Sequence, residues 1–513
     1  MTCRMQLRSQ YILISFILCC GLFLLTLTIY IPSLASQLVA QRLAKELPIV
    51  NGSTFTEKWS RPEASVYVRF YLFNLTNLEE YEAGNKPIFN QLGPYTFFNK
   101  RHNLIHGWLE DDTLFEYETL KYYFFEPSLS NGSMDDVFVT ANIPNAVLIY
   151  KTDHVPFFVR GLISGSLKEY REGFFIHTTV REFLVEGYET KALSKITNAK
   201  NVAEKVFSSS NSPIQERFGV LYKQNGTSQS GRITAYTGKH DIRKILSITK
   251  WNDKSSMGCW SDYGTCNRIN GSDGSFFPPL SCTEKKPIQI FAPEFNRTLS
   301  IVYTGESEYK GVKTYVYKVP ADTFSLSNPE NRCFCTHNDT KIIENGSCSM
   351  YGVLDLSPCQ PENAPLILSS PHFLNAHPLL LESLVGLRPQ ADLHESIIEI
   401  EPVTGTPMKV FKRVQISIKL KSEHLIKGIP HYPDMIFPVF WLEESAESGD
   451  KIVETLDKLL FGKLRMATYI SIACGTIGVF SILTSLVMLL PSRYFKIFEA
   501  KRLEYSIINF RRS

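Results

Sequence analysis

The chain has 513 residues, 11 cysteines and a formal net charge of +3. A charge so nearly balanced, with no basic tract interleaved with aromatics, excludes nucleic acid as a partner, while the length permits more than one domain. Phe and Tyr carry most of an aromatic content of 12 %. That suits a β-rich core, because aromatic and β-branched side chains fit a pleated, half-buried surface.

Residues 11–31 are apolar and uncharged. At about 1.5 Å per residue they reach across the roughly 30 Å of a bilayer's hydrocarbon, where the backbone must satisfy itself as a helix. Pro32 follows, at a place where a helix can stop, and residues 37–47 read as a short separate helix. Arg4 and Arg8 before the run and Ser33-Leu34-Ala35 after it also fit a cleaved signal peptide. The run exceeds the usual ~7–15 apolar residues of such peptides, so an uncleaved anchor is expected.

Residues 65–74 alternate, with Val66, Val68, Phe70 and Leu72 on one face, which predicts a strand. Gly93-Pro94 reads as a turn, and residues 95–98 resume as strand. From 145 to 189 the pattern is more helical, punctuated by Pro144 and Pro156. Residues 178–188 read as a helix capped by Thr178 or Thr179, with Glu182 in capping-box position. Further strands are expected at 114–117, 300–303, 313–319, 396–401 and 409–420. In the last, Val410, Val414, Ile416, Ile418 and Leu420 form the apolar face. No low-complexity linker or internal repeat interrupts the series, which predicts one large antiparallel β-domain with a helical insertion.

Residues 467–490 form a second apolar run that ends at Pro491. Beyond it Arg493, Lys496, Lys501, Arg502, Arg511 and Arg512 outnumber Glu499 and Glu504. Basic flanks mark the cytoplasmic side, so the tails 1–10 and 491–513 are expected in the cytosol and the ectodomain, 32–466, on the far side. Eight Asn-x-Ser/Thr sequons agree with that side: Asn51, Asn74, Asn131, Asn225, Asn270, Asn296, Asn338 and Asn345. Seven cysteines cluster between Cys259 and Cys359, which in an oxidising compartment reads as a disulfide patch. Cys333 and Cys335, one residue apart, and a lone His337 do not make a zinc site.

No catalytic constellation emerges. Gly161-Leu-Ile-Ser-Gly165 has the wrong spacing for a nucleophile elbow, and neither a His-Glu-x-x-His motif nor a phosphate loop is present. Neither an enzyme nor a cofactor is expected.

Several motifs occur in a fixed order: Gln91-Leu-Gly-Pro-Tyr-Thr-Phe97, Phe125-Glu-Pro-Ser-Leu-Ser130, Cys266-Asn-Arg-Ile-Asn-Gly-Ser-Asp-Gly-Ser-Phe-Phe-Pro-Pro279, Cys333-Phe-Cys335, Cys348-Ser-Met-Tyr-Gly-Val-Leu-Asp355, Ser370-Pro-His-Phe373 and Ile400-Glu-Pro-Val-Thr-Gly405. Between two terminal anchors this ordered set closely resembles the class B scavenger receptor family over essentially the whole chain. The resemblance implies an irregular antiparallel β-barrel ectodomain with a hydrophobic tunnel and an apical helical bundle at about 142–215. It implies disulfides Cys266–Cys333 and Cys335–Cys348. Cys359 matches a third family cysteine whose usual partner position, near 294–296, holds none here. Cys282 is the nearest substitute and Cys259 the other, and Cys282–Cys359 is the pairing expected.

The implied function is a cell-surface receptor for fatty acids, sterols, other lipids or lipoprotein particles, which it transfers through the tunnel to the membrane. A lysosomal sorting receptor for a soluble hydrolase and a chemosensory lipid co-receptor are the alternatives. Cys3 resembles a palmitoylation site, and Tyr505 with Ile508 fits a Tyr-x-x-hydrophobic endocytic signal. That favours the plasma membrane, with the endosome and lysosome as alternatives. In the nearly neutral apex Lys168 is the candidate contact for a cargo carboxylate. His154 and His177 are candidate pH sensors.

Overall fold

The computed structural model of the chain describes residues 2–151, 155–199, 203, 206–207, 217–260, 265–325, 328–335, 351–420 and 432–510. Two compact units divide it, Met1–Lys45 with Asp450–Ser513, and Glu46–Gly449.

The first unit is built on two long helices, Thr2–Glu46 and Gly462–Phe510. Each contains a stretch long and apolar enough to cross a membrane, Ser9–Glu46 and Gly462–Leu490. Phe23 and Phe480 are 62 % and 69 % exposed, which water penalises and hydrocarbon does not. The helices approach through glycine. A methyl group on Gly478 would stand 3.0 Å from the Gly21 carbonyl oxygen, and the Ser471 hydroxyl donates to the Thr28 carbonyl at 2.6 Å. Small residues permit such contact where no hydrophobic force drives helices together. Neither helix stops where expected. Pro32 lies inside the first, so residues 37–47 continue it, and Pro491 lies inside the second. A proline removes one backbone bond and bends a helix, and the Leu, Ala, Gln, Arg and Lys residues after Pro32 are strong enough helix formers to carry it onward.

The second unit is dominated by one antiparallel sheet of thirteen strands among the described residues. Its path runs Ile288–Ala292, Arg297–Tyr309, Val312–Lys318, Ile397–Ile400, Pro407–Leu420, Met435–Glu447, Ser65–Leu75, Phe89–Leu109, Leu114–Phe125, Ile233–Tyr236 and Ile248–Trp251. Val353–Asp355 and Leu366–Ser369 branch from it beside Pro407–Leu420. The two end strands do not pair with each other. Gly271-Ser272 runs between them: the Ile248 N–H donates to the Gly271 carbonyl at 2.8 Å, and the Phe291 N–H to the Ser272 carbonyl at 2.9 Å. The sheet is thereby nearly closed into a barrel.

Gly93-Pro94 is not a turn between strands. It lies inside Phe89–Leu109, where the register with Ser65–Leu75 shifts between Phe70 and Leu72. Gly93 has φ 101°, and a Cβ there would meet the Phe70 carbonyl oxygen at 2.6 Å, so the glycine makes a bulge possible. The helical insertion comprises Ile143–Lys151, Phe157–Tyr170 and Lys191–Asn198 beside a hairpin of Val137–Ala141 and Phe175–Thr179. Residues 178–188 are not one helix. The capping chemistry is present, with the Glu182 carboxylate accepting from the Thr179 N–H at 3.2 Å and the Glu182 N–H donating to the Thr179 hydroxyl at 3.2 Å. It terminates a strand and starts a five-residue turn, Glu182–Glu186, with wider-than-α hydrogen bonding.

Disulfides join Cys266 to Cys333 and Cys259 to Cys359. The expected Cys282–Cys359 pair is therefore corrected. Cys282 sits in the tight turn Ser281–Glu284 and packs with Phe277, Ile301, Tyr317 and Ile400. Cys259 and Cys359 pack on a different apolar cluster, with Cα atoms 5.1 Å apart, inside the range a disulfide requires. Burial pushes the Cys282 thiol up to about 11, so it stays protonated. Cys335 is also disulfide-bonded, and its expected partner Cys348 lies outside the described residues. Peptide mapping of the unreduced protein is expected to recover Cys259 linked to Cys359, with Cys282 alkylated only after unfolding. A fragment joining Cys282 to Cys359 would contradict this.

Candidate functional site

On the neighbouring strands Phe89–Leu109 and Leu114–Phe125, Phe97, Asn99, Phe115 and Tyr117 are buried, while Lys100, Leu104 and Phe124 on the opposite face are exposed. The first set therefore faces the barrel interior. That interior has two apolar layers. One contains Val68, Phe70, Phe97 and Phe440. The other contains Trp59, Phe115, Tyr117 and Phe291. Between them the same face turns polar. Register places Asn99 opposite Tyr123 and Arg101 opposite Lys121, and Lys412 opposite Glu444. The short turn Pro293–Phe295 adds Glu294.

These side chains form a belt of ion pairs. Arg101 meets Glu444 at 2.7 Å, and Glu294 is shared by Lys121 at 3.5 Å and Lys412 at 3.4 Å. Burial alone would raise the Glu294 carboxyl, but Lys412 and Lys121 outweigh it and hold the group at about 2. Glu444 behaves alike: Arg101, Lys412 and Lys121 more than reverse the effect of burial and hold it well below the carboxylate range. Burial, then Glu444, raises Tyr123 to about 12. Both carboxylates are therefore ionised at neutral pH. Although they stand on the enclosed face, Arg101 keeps 24 %, Glu444 21 %, Glu294 29 % and Lys412 30 % of its side-chain surface accessible. A space large enough for solvent adjoins them.

The ordered motifs hold this barrel together. The Phe277 N–H donates to the Gly405 carbonyl at 3.0 Å, and a Cβ on Gly405 would lie 2.1 Å from the Phe277 oxygen. Buried Glu401 accepts from the N–H groups of Val403 and Thr404 at 2.9 and 2.7 Å. On the face of the sheet opposite the belt, Gln91 Oε1 accepts from Trp441 Nε1 and His372 Nε2, each at 2.7 Å. His372 Nδ1 accepts from the Arg388 N–H at 2.9 Å, which fixes a neutral tautomer, and the ring stacks 4.4 Å from His394.

Lys168 is exposed on Phe157–Tyr170, and His177 is exposed on its strand. His154 lies outside the described residues. Asn51, Asn131, Asn225 and Asn270 are exposed, and Asn74 and Asn296 half-buried; Asn338 and Asn345 lie outside the described residues. Asn74 Oδ1 accepts from the Val139 N–H at 2.9 Å, which leaves its amide nitrogen available. Cys3, Tyr505 and Ile508 lie on the two terminal helices. The belt was not foreseen, although Lys412 interrupts the apolar series between Val410 and Val414, and Asn99 and Arg101 fall in phase with Phe97.

Comparison with known families finds a match to the CD36 family over residues 15–489. The chain belongs to the CD36 family. Lysosome membrane protein 2 of Rattus norvegicus is 32 % identical over 460 residues, covering 90 % of this chain and 91 % of the relative. Its Homo sapiens counterpart is 32 % identical over 458 residues, covering 88 % and 90 %. Sensory neuron membrane protein 1 of Apis mellifera is 28 % identical over 451 residues, covering 84 % of each. The motif order thus reflects a CD36-family, class B scavenger receptor-like membrane protein along most of its length.

The buried histidines of this CD36-family barrel set a pH dependence. Burial, then His394, pushes His372 down to about 3, and burial, then Arg413, pushes His394 down to about 4. The unfolded chain protonates each near 6.5 and so binds more protons below that pH. Stability is therefore full above about 6.5 and declines as pH falls towards 4, by about 2 kcal/mol per histidine at pH ~5. His394→Gln is expected to remove about half of that decline in denaturant unfolding between pH ~7 and ~5. An unchanged slope would contradict the assignment.

Proposed function

We propose that the protein is a class B scavenger receptor-like receptor that binds lipid or lipoprotein cargo and passes hydrophobic molecules, such as fatty acids or sterols, along its barrel interior to the membrane. The observation that carries this reading is the accessible surface that Arg101, Glu444, Glu294 and Lys412 keep on an enclosed face, with apolar side chains on both sides of them. A lipid tail loses about 0.8 kcal/mol for each CH₂ moved into water, and an apolar passage avoids that loss. The same reading puts both tails in the cytosol and glycans on the sequons. It gives Lys168 the role of an exposed contact for a cargo carboxylate, Cys3 that of a lipidated residue, and Tyr505 with Ile508 that of an endocytic signal at the plasma membrane. It assigns no catalysis.

A second reading has a specific observation in its favour. Phe157 and Leu162 on the helix Phe157–Tyr170 are 86 % and 49 % exposed, an apolar surface that suits a protein partner, as a carrier of a soluble hydrolase would need. Mass spectrometry of material bound to the natively purified protein separates the two. Enrichment of one lipid class over a control membrane glycoprotein is the result expected. No lipid enrichment, with a soluble protein co-purifying, would replace the conduit with the carrier.

A further inference from the structure

We propose that Asn99, Arg101, Lys121, Glu294, Lys412 and Glu444 form a binding site, inside the barrel, for the oxyanion of a lipid headgroup, carboxylate or phosphate. This rests on the conduit reading and adds to it a place where amphipathic anionic cargo is held.

Three observations point to an anionic ligand. First, three cations face two carboxylates, so the belt carries one uncompensated positive charge. Isolated charge in a protein interior is costly, and a bound anion completes the balance. Second, hydrogen-bonding capacity is unspent. Asn99 is 1 % exposed, yet neither its amide oxygen nor its nitrogen has a partner among the described residues, and Arg101 Nε is also without one. Lys121 and Lys412 reach one shared carboxylate at 3.5 and 3.4 Å, longer than the roughly 2.7–2.9 Å of a good charge-assisted bond. Third, the accessible surface of Arg101, Glu444, Glu294 and Lys412 lies on the enclosed face between two apolar layers. Apolar side chains therefore flank a headgroup there on both sides.

The test uses the full chain in neutral phosphatidylcholine nanodiscs and cis-parinaric acid, whose fluorescence is excited by transfer from protein tryptophans. Its methyl ester has the same tail without the charge. The acid is expected to bind at least about tenfold more tightly than the ester. Lys412→Met should cost the acid about tenfold and leave the ester unchanged, with Lys121 still pairing Glu294. Glu294→Gln, which removes a competing anion, should tighten acid binding several-fold. Should Lys412→Met fail to fold, Asn99→Ala provides the same reading, with a several-fold loss confined to the acid. Displacement by lysophosphatidic acid at lower concentration than by oleic acid assigns a phosphate, and the reverse order a carboxylate. Acid and ester binding alike in every protein would overturn the oxyanion site and leave the conduit standing. Binding of neither would overturn both.

Discussion

A long antiparallel sheet has two unpaired edges, and exposed edges invite pairing with other chains. In this protein that constraint is met by two residues, Gly271 and Ser272, which hydrogen-bond to the strands at both ends of the sheet. Only glycine fits the first position. Its φ is +83°, and a Cβ would lie 2.1 Å from the Gln289 carbonyl oxygen. The residues that follow fasten the closure to the interior. Asp273 accepts from the Tyr117 hydroxyl at 2.8 Å, Ser275 from Trp59 at 3.4 Å, and Phe277 binds Gly405. The longest family motif is thus the stretch that closes the barrel, and an enclosed interior depends on it.

Closure gives the interior charges their meaning. On an open sheet Arg101, Lys121 and Lys412 would be ordinary solvated cations. Inside a barrel each loses hydration, and attraction to Glu294 and Glu444 repays that loss only where geometry is good. The Arg101–Glu444 contact is close and the two lysine contacts to Glu294 are long. This uneven satisfaction, between two apolar layers, sets the belt apart from two polar groups that brace the barrel. Glu401 and the Gln91–His372–Trp441 group are engaged on several sides and anchor turns and strands.

Much of the architecture was legible because it rests on local periodicity. The strand Ser65–Leu75 follows directly from Val66, Val68, Phe70 and Leu72, and the apolar runs mark both long helices. Failures arose where one local signal serves two structures. Gly93-Pro94 is common to turns and bulges, and only the neighbouring strand decides. Glu182 with Thr179 is a capping pair whether an α-helix or a wider turn follows. The choice between Cys259 and Cys282 depends on which apolar cluster each joins, which sequence distance does not convey. The belt was half visible. Lys412 breaks an apolar series, but its ion-pair partners come from the turn at Glu294 and from other strands, and only the closed sheet brings them together.

The conduit reading has hydrophobic cargo in the barrel interior between the two apolar layers. Photo-crosslinking of the membrane-embedded full chain with a diazirine-bearing fatty acid tests it most directly. Adducts are expected on inward-facing positions of Phe89–Leu109, Leu114–Phe125 and Met435–Glu447, suppressed by excess unlabelled fatty acid. Competable adducts confined to the exposed surface of Phe157–Tyr170, with none on those strands, would contradict it.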